Sequence, residues 1–271
     1  MESLYDELKA KATKIRRNIV NMIYLASSGH PGGALSLTDI LTVLYFTEMK
    51  IDPLNPKDEN RDRFVLSKGH ASAALYATLA ERGFIKNEDL LGFRNIDSML
   101  QGHPDMNKIS GVDMTTGSLG QGLSAANGMA LAAKLDKKDY RVYCALGDGE
   151  IQEGQVWEAA MTASHYKLDN LCVIVDNNNL QIDGTVDKVM SPYPIVDKFK
   201  SFGFNVIEID GHDFKQIIEA FEEAKKVKDK PTAIVAKTVK GRGVSYMENQ
   251  ASWHGKAPNE QELTQAMQDL I

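Results

Sequence analysis

The second half of the chain alternates short apolar segments with amphipathic ones, and this alternation constrains the fold more than any other feature. Four apolar segments predict strands: 140–146, 171–175, 204–209 and 232–238. Three intervening segments predict helices: 153–165, 193–202 and 214–227. Strands that are apolar along their whole length and separated by helices are typical of a parallel sheet buried on both faces. The sequence therefore predicts an α/β fold over residues 1–271, a single domain with one doubly wound, mostly parallel sheet and helices on both faces.

The first half is predicted to be mainly helical. Helices are expected at 4–26, 36–49, 72–82 and 123–135, a short strand at 63–67, and a last helix at 260–270. The segment Gly29–Gly33 contains a proline and three glycines and would end the first helix, because glycine and proline interrupt helices. Ser36 would then be the N-cap of the second helix.

Composition and charge exclude several classes of protein. With 43% hydrophobic and 25% charged residues, the chain is globular rather than disordered. Its longest apolar runs are far shorter than the ~20 residues that cross a bilayer, so no membrane association is expected. A net charge of −6 without a long basic segment argues against nucleic-acid binding. Two cysteines and no signal peptide indicate a reducing compartment, the cytoplasm.

Polar loops follow two consecutive predicted strands. The first loop is Gly147-Asp148-Gly149 and the second contains Asn177 and Asn178. In a parallel sheet the carboxyl ends of neighbouring strands meet at one edge, where ligands bind. Carboxylate, amide and carbonyl oxygens suit Mg²⁺ or Ca²⁺, and Mg²⁺ keeps positions for water and phosphate. Either loop alone is an ordinary turn, but together they favour a cation–diphosphate site.

Histidines and glycines recur together along the chain. Five of the six histidines adjoin a glycine: His30, His70, His103, His212 and His254. Several of them lie near predicted element ends, which favours a histidine-lined, phosphate-rich cleft. No pair has the spacing of a zinc site. His165, on a predicted helix, is interpreted as structural, and His212 as part of a turn.

The segment Thr115–Gly122 holds three glycines and precedes a helix of small residues. It is neither a P-loop nor a convincing dinucleotide fingerprint, because the lysine and the glycine spacing are wrong. Two interpretations stay open for it: backbone contact with a ligand, or close packing of the helix against its neighbours.

Taken together, these motifs resemble those of thiamine-diphosphate enzymes. The general resemblance lies in the span from Gly147-Asp148-Gly149 to Asn177-Asn178. Five further segments resemble the transketolase family in particular: Ser28–Gly32, Leu66–His70, Gln101–Pro104, Thr115–Gly122 and Trp253–Gly255. The resemblance extends from about residue 10 to residue 258 and so covers nearly the whole chain.

The resemblance implies the diphosphate-binding type of thiamine-diphosphate domain, with thiamine diphosphate and Mg²⁺, or Ca²⁺, as cofactors. The implied metal ligands are Asp148, Asn178 and the Leu180 carbonyl. The implied cofactor contacts are His70, Gly117, Leu119, Gly149, Asn178 and His254. The implied catalytic residues are His30, His103 and His254. His30 and His103 would face the hydroxyl groups of the donor sugar and assist proton transfers.

The resemblance also implies a partner. Usual transketolases are longer, and their next domain supplies the glutamate that activates the cofactor. The pyrimidine-binding and C-terminal domains are expected to be absent here, so the chain would be one subunit of a split, heterotetrameric transketolase, inactive alone. The complete enzyme would move a two-carbon ketol unit between sugar phosphates of the pentose phosphate pathway. Glu153 and Glu158 match interface glutamates of the family, or are simply acids stabilised near a helix start.

Two alternatives stay open. The chain would also suit the diphosphate-binding subunit of another thiamine-diphosphate enzyme, such as a 2-oxo-acid dehydrogenase or a deoxyxylulose-phosphate synthase, because these share the metal motif. A non-catalytic cofactor-binding module is the second alternative. Neither the preferred sugars nor the metal used follows from the sequence.

Overall fold

A parallel sheet forms the centre of the domain. The structure is a computed structural model that describes residues 2–271. The strands are β1 (Arg63–Leu66), β2 (Val142–Gly147), β3 (Leu171–Asn177), β4 (Leu180–Gln181), β5 (Gly184–Thr185), β6 (Asn205–Asp210) and β7 (Thr232–Lys237). Five of them form the sheet in the order β1-β2-β3-β7-β6, with every neighbouring pair parallel. The short strands β4 and β5 form a separate antiparallel hairpin. The predicted α/β fold with a parallel sheet is confirmed.

Helices cover both faces of this sheet. They are α1 (Glu2–Leu25), α2 (Pro31–Val43), α3 (Ser72–Arg82), α4 (Gln121–Leu135), α5 (Gly154–His165), α6 (Val186–Val189), α7 (Ile195–Ser201), α8 (Phe214–Lys226) and α9 (Glu260–Asp269). Residues of α1, α2, α3 and α8 form one hydrophobic core, and residues of α4, α5 and α7 form the other. Along β2, Tyr143 and Ala145 enter the first core and Cys144 the second. The central strands are apolar over most of their length because both of their faces are buried.

The start of the second helix differs from the prediction. Helix α2 begins at Pro31, and Ser36 is therefore an interior residue and not its N-cap. Proline suits the first helical position because its fixed φ is helical and its missing N–H would have no partner there. The Ser36 hydroxyl instead donates to Asp176 Oδ2 at 2.6 Å. Every residue of α2 is buried, so the helix has no polar face from which its start could be predicted.

Smaller differences occur elsewhere. The predicted helix 193–202 is confirmed as α7, but it begins only after Pro194. The hairpin β4–β5 was not predicted, because its strands are two residues long. Within residues 2–271, none of the helices combines the length and the apolar character that crossing a bilayer requires.

Close packing, one of the two interpretations of the segment Thr115–Gly122, is confirmed at Gly122, which packs against the end of β1. A Cβ at this position would lie 2.5 Å from Ser67 Cβ and 2.7 Å from Ser67 Cα. Ser67 cannot withdraw freely, since its own N–H donates to the Ala145 carbonyl at 3.0 Å. The glycine at the start of α4 is thus required for close packing of helix on sheet.

We expect Gly122→Ala to lower the free energy of unfolding by about 1–3 kcal/mol, because the added methyl group overpacks this contact. Gly128 on the same helix is the matched control, since a Cβ there would meet nothing within 4 Å. Gly128→Ala is expected to be neutral or to stabilise by up to about 1 kcal/mol through helix propensity. Urea unfolding of both variants measures the difference, and equal stabilities would contradict the packing argument.

Candidate functional site

A cavity of about 280 Å³ lies at the carboxyl ends of the central strands. Its walls include all ten residues that the sequence predicts for the site: His30, His70, His103, Gly117, Leu119, Asp148, Gly149, Asn178, Leu180 and His254. These residues come from seven separate loops or helix starts along the chain. The fold therefore brings the predicted residues together in one cavity.

Asp148 and Asn178 lie on two loops that contact one another. Strands β2 and β3 are parallel neighbours, with Gly147 paired to Asp176. Asp148 follows β2, and its carboxylate accepts hydrogen bonds from the backbone N–H groups of Gly149, at 2.8 Å, and Asn179. Asp148 and Asn178 are almost fully buried, at 2% and 7% exposure. The predicted proximity of the two loop ends is thus present in the structure.

The chemistry of these oxygens suits a divalent cation. Burial raises the pKa of Asp148 to about 7, and the neighbouring Asp176 contributes to the shift, so a cation bound at this carboxylate would favour its ionised form. Among residues 2–271 no three His, Cys, Asp or Glu side chains form a metal cluster. A metal here would therefore be held by mixed carboxylate, amide and carbonyl oxygens, which is the donor set of Mg²⁺ or Ca²⁺.

Three histidine rings form one wall of the cavity. The ring centroids of His30, His70 and His254 are 5.2–5.4 Å apart. Burial, assisted by Arg94, lowers the pKa of His30 to about 4, and burial with Lys240 lowers that of His254 to about 3. Burial also lowers the pKa of His70 well below its usual value. The three rings are therefore neutral at neutral pH.

The fourth histidine ring, that of His103, packs against the glycine-containing loop Thr115–Gly122. Gly117 has φ +152°, and a Cβ there would lie 3.3 Å from His103 Cγ. Glu150 is hydrogen-bonded to the same loop, because its carboxylate accepts from Gly120 N at 3.0 Å. The carboxylate also accepts from Gly147 N, at the end of β2, at 3.0 Å. The loop before α4 and the end of β2 are thus joined through one buried carboxylate.

Two buried lysines complete the cavity, and sequence reasoning missed both as site residues. Lys68 and Lys240 are each 2% exposed. Lys68 Nζ forms an ion pair with Asp176 and donates to the Gly33 carbonyl at 2.8 Å. Lys240 Nζ donates to the Leu180 carbonyl at 3.0 Å, and burial together with Lys68 lowers its pKa to about 8. A search of the loop after the last predicted strand, 232–238, would have found Lys240.

The remaining predicted residues lie outside the cavity. His212 lies in the turn before α8, as predicted, and its side chain, 9% exposed, is also hydrogen-bonded to Asp39 at 2.7 Å. His165 is exposed and packs edge-on against Tyr166, with ring centroids 4.9 Å apart. Glu153 and Glu158 are both exposed, so their role at an interface stays a prediction.

Comparison with known proteins identifies the family. Residues 8–270 match the family model described as the transketolase thiamine diphosphate binding domain. The chain belongs to the transketolase family. The predicted resemblance is therefore confirmed, and the transketolase interpretation is favoured over the other thiamine-diphosphate enzymes.

Relatives within the transketolase family fall into two length classes. An apulose-4-phosphate transketolase subunit of Phocaeicola vulgatus is 44% identical, over 98% of this chain and 94% of that protein. The 6-deoxy-6-sulfo-D-fructose transketolase subunit SqwG of Clostridium sp. is also 44% identical, over 97% and 96% of the two chains. The crystal structure of transketolase from Campylobacter jejuni superposes with a TM-score of 0.92 at 39% identity, over 97% of this chain. This chain spans only 42% of the length of that transketolase.

Proposed function

We propose that the chain is the diphosphate-binding subunit of a split transketolase. The complete enzyme would bind thiamine diphosphate with Mg²⁺ and transfer a two-carbon ketol unit from a ketose phosphate to an aldose phosphate. The observation that carries this proposal is the convergence of ten predicted residues on one cavity. The near full-length similarity to two proteins named as transketolase subunits supports the split arrangement.

The metal would be held by Asp148, Asn178 and the Leu180 carbonyl. One carboxylate, one amide and one carbonyl oxygen leave positions for phosphate oxygens and water, which Mg²⁺ prefers to retain. Lys240 already donates to the Leu180 carbonyl and adds a positive charge beside the expected diphosphate. The oxygen donors and the ammonium together fit a metal–diphosphate group.

The rest of the cofactor would be bound by His70, His254 and backbone groups. Gly149 is expected to exchange its N–H contact with Asp148 for one with the diphosphate. A Cβ at this position would lie only 3.2 Å from Gln181 Cβ, so the packing here favours glycine. Gly117 and Leu119 would contact the pyrimidine through main-chain groups. When bound, thiamine diphosphate supplies the carbon nucleophile and electron sink that allow a carbon–carbon bond beside a ketose carbonyl to break and re-form.

His30, His103 and His254 would act on the sugar. Arg94 lies 3.4 Å from His30 Nδ1, and Lys240 lies 2.8 Å from His254 Nδ1. Guanidinium and ammonium groups only donate, so Nδ1 accepts in both rings and Nε2 carries the proton. A neutral ring with a proton on Nε2 can donate to a sugar oxygen and accept a proton back, which is the task of a general acid–base group.

The remaining functions would come from a companion subunit. That subunit would supply the pyrimidine-binding and C-terminal domains, with two copies of each chain in the assembly. Because the two similar subunits are named for different sugars, the proposal specifies a reaction class and not a single donor. A cytoplasmic location is in keeping with two buried free cysteines.

The test combines binding with turnover. Calorimetry of the chain with the companion subunit is expected to show thiamine diphosphate binding that disappears on chelation of Mg²⁺. Coupled assays are expected to show ketol transfer between sugar phosphates by the mixture and none by this chain alone. Turnover of 2-oxo acids instead would indicate another thiamine-diphosphate enzyme, and no binding would indicate a non-catalytic module. Transfer by the pure chain would contradict the split arrangement.

A further inference from the structure

Three buried ionisable side chains form a hydrogen-bonded series on the α2 side of the sheet. Arg16 in α1 donates to both oxygens of Asp39 in α2, at 2.9 and 2.6 Å. His212, in the loop between β6 and α8, places Nδ1 2.7 Å from the Asp39 carboxylate. The three side chains are between 5% and 9% exposed. A bidentate guanidinium fixes the plane of the carboxylate and so fixes where the histidine ring can sit.

The other ring nitrogen of His212 contacts the backbone. The N–H of Val239 donates to His212 Nε2 at 2.8 Å. A backbone amide only donates, so Nε2 is the acceptor, the ring is neutral and its proton lies on Nδ1, facing Asp39. Although burial opposes ionisation, Arg16 holds the pKa of Asp39 below its usual value, so the ring donates to a carboxylate. The ring therefore bridges α2 to the backbone at Val239.

Val239 directly precedes Lys240, which is one of the two buried lysines that line the cavity. The preceding residue is held by the sheet, since Thr238 N donates to Asn177 O at 3.1 Å. The residue after Lys240 is held by α2, since Gly241 N donates to Gly32 O at 3.0 Å. The hydrogen bond between Val239 and His212 lies between these two backbone hydrogen bonds. It is directly adjacent to Lys240, whose side chain enters the cavity.

We infer that His212 is a positioning residue for Lys240, acting through the Val239 backbone and oriented by Asp39 and Arg16. His212 does not line the cofactor cavity. Lys240 reaches the Leu180 carbonyl and His254 from a backbone that must be fixed within a fraction of an ångström to place its ammonium. What Lys240 binds rests on the proposed function, whereas the positioning itself does not.

A matched pair of variants separates the two contacts of the ring. In His212→Gln the side-chain oxygen reaches the place of Nε2 and can accept from Val239. In His212→Asn the amide ends near the place of Nδ1, so it keeps the contact with Asp39 and loses the one with Val239. The first measurement is hydrogen–deuterium exchange of the peptide 238–243. The second is the affinity of the intact chain for inorganic pyrophosphate with Mg²⁺, by calorimetry.

We expect His212→Asn to exchange the 238–243 peptide about tenfold faster and to bind pyrophosphate about tenfold more weakly, as for lost outer-sphere contacts. His212→Gln is expected to lie closer to wild type than His212→Asn in both measurements, because it keeps the contact with Val239 and loses only the orienting contact with Asp39. In a Lys240→Met background, His212→Asn should cost no further pyrophosphate affinity, because the two residues act on the same contact. Thermal unfolding checks that both variants are folded.

The outcomes distinguish the positioning role from the proposed function. If His212 only joins Asp39 to the core, His212→Asn will be the better tolerated variant and the order of the pair will be reversed, which overturns the inference. An unchanged exchange rate in His212→Asn overturns it equally. If wild type does not bind pyrophosphate, the exchange measurement still decides the role of His212, and thiamine diphosphate binding by the chain with its companion subunit decides the proposed function separately.

Discussion

Replacing Asp176 by asparagine is expected to lower the free energy of unfolding by about 3–5 kcal/mol. Asp176 is fully buried at the end of β3 and forms an ion pair with Lys68, which is itself only 2% exposed. Burial alone would raise the pKa of Asp176, but Lys68 holds it below its usual value, so the pair is ionised. Asparagine keeps the shape of the side chain and leaves the Lys68 ammonium buried without its hydrogen-bonded carboxylate.

Urea unfolding measures this loss, and two controls define its cause. The double variant Lys68→Met with Asp176→Asn is expected to recover more than half of it, because neither member of the ion pair then carries a charge. Asp169→Asn is the matched surface control, since Asp169 pairs with Lys134 at 2.8 Å and both side chains are more exposed, at 22% and 36%. That variant is expected to lose less than about 1 kcal/mol. Equal losses from Asp169→Asn and Asp176→Asn would contradict the argument.

Asp176 also joins the elements that surround the cavity. Its carboxylate accepts from Ser36 on α2 at 2.6 Å and from the Thr238 hydroxyl after β7. The Asp176 carboxylate in β3 therefore forms hydrogen bonds to α2 and to the segment that leads to Lys240, in addition to its ion pair with Lys68. The stability of the fold and the shape of the cavity depend on one group, and a variant that weakens it is expected to affect both.

The sheet and the placement of the two polar loops could be predicted from the sequence because local patterns encode them. A strand buried on both faces is apolar over most of its length, as at residues 171–175 of β3, and neighbouring parallel strands share a carboxyl edge. Asp148 and Asn178 therefore had to lie near each other once β2 and β3 were adjacent. What they bind does not follow from that placement and stays a prediction.

The buried charges could not be predicted, because their partners are distant in sequence. Lys68 pairs with a carboxylate 108 residues away, and His212 bonds to Asp39, which is 173 residues away. A lysine or histidine is usually exposed, and nothing local in the sequence marks the exceptions. The start of α2 was missed for a related reason, since a helix buried on all sides has no polar face to indicate its phase.

Asp148→Asn is expected to weaken Mg²⁺-dependent thiamine diphosphate binding by more than about 100-fold, or about 2.8 kcal/mol. Loss of contacts that only support a metal ligand costs 10–100-fold, so loss of the charged ligand itself should exceed that range. The substitution removes the carboxylate charge and keeps the size of the side chain. Calorimetry of the assembled enzyme with and without Mg²⁺ measures the effect.

The fold itself should tolerate this change, which separates a metal ligand from a structural residue. Burial and Asp176 oppose ionisation of Asp148, so removing the charge relieves a cost and offsets the weakened hydrogen bonds from Gly149 and Asn179. The unfolding free energy without ligand should change by less than about 1 kcal/mol. The rise in Tm that ligand binding produces in wild type should disappear, because stabilisation by a ligand requires affinity for the folded state.

Asp183→Asn is the matched control for Asp148→Asn, since Asp183 is exposed on the neighbouring hairpin and does not line the cavity. It removes the same charge from the same side of the molecule and is expected to leave cofactor affinity unchanged. A fall in affinity for both variants would indicate a long-range effect of net charge. If Asp148→Asn binds within about threefold of wild type, or about 0.7 kcal/mol, the metal does not depend on this carboxylate. The proposed cation site between the ends of β2 and β3 would then be wrong.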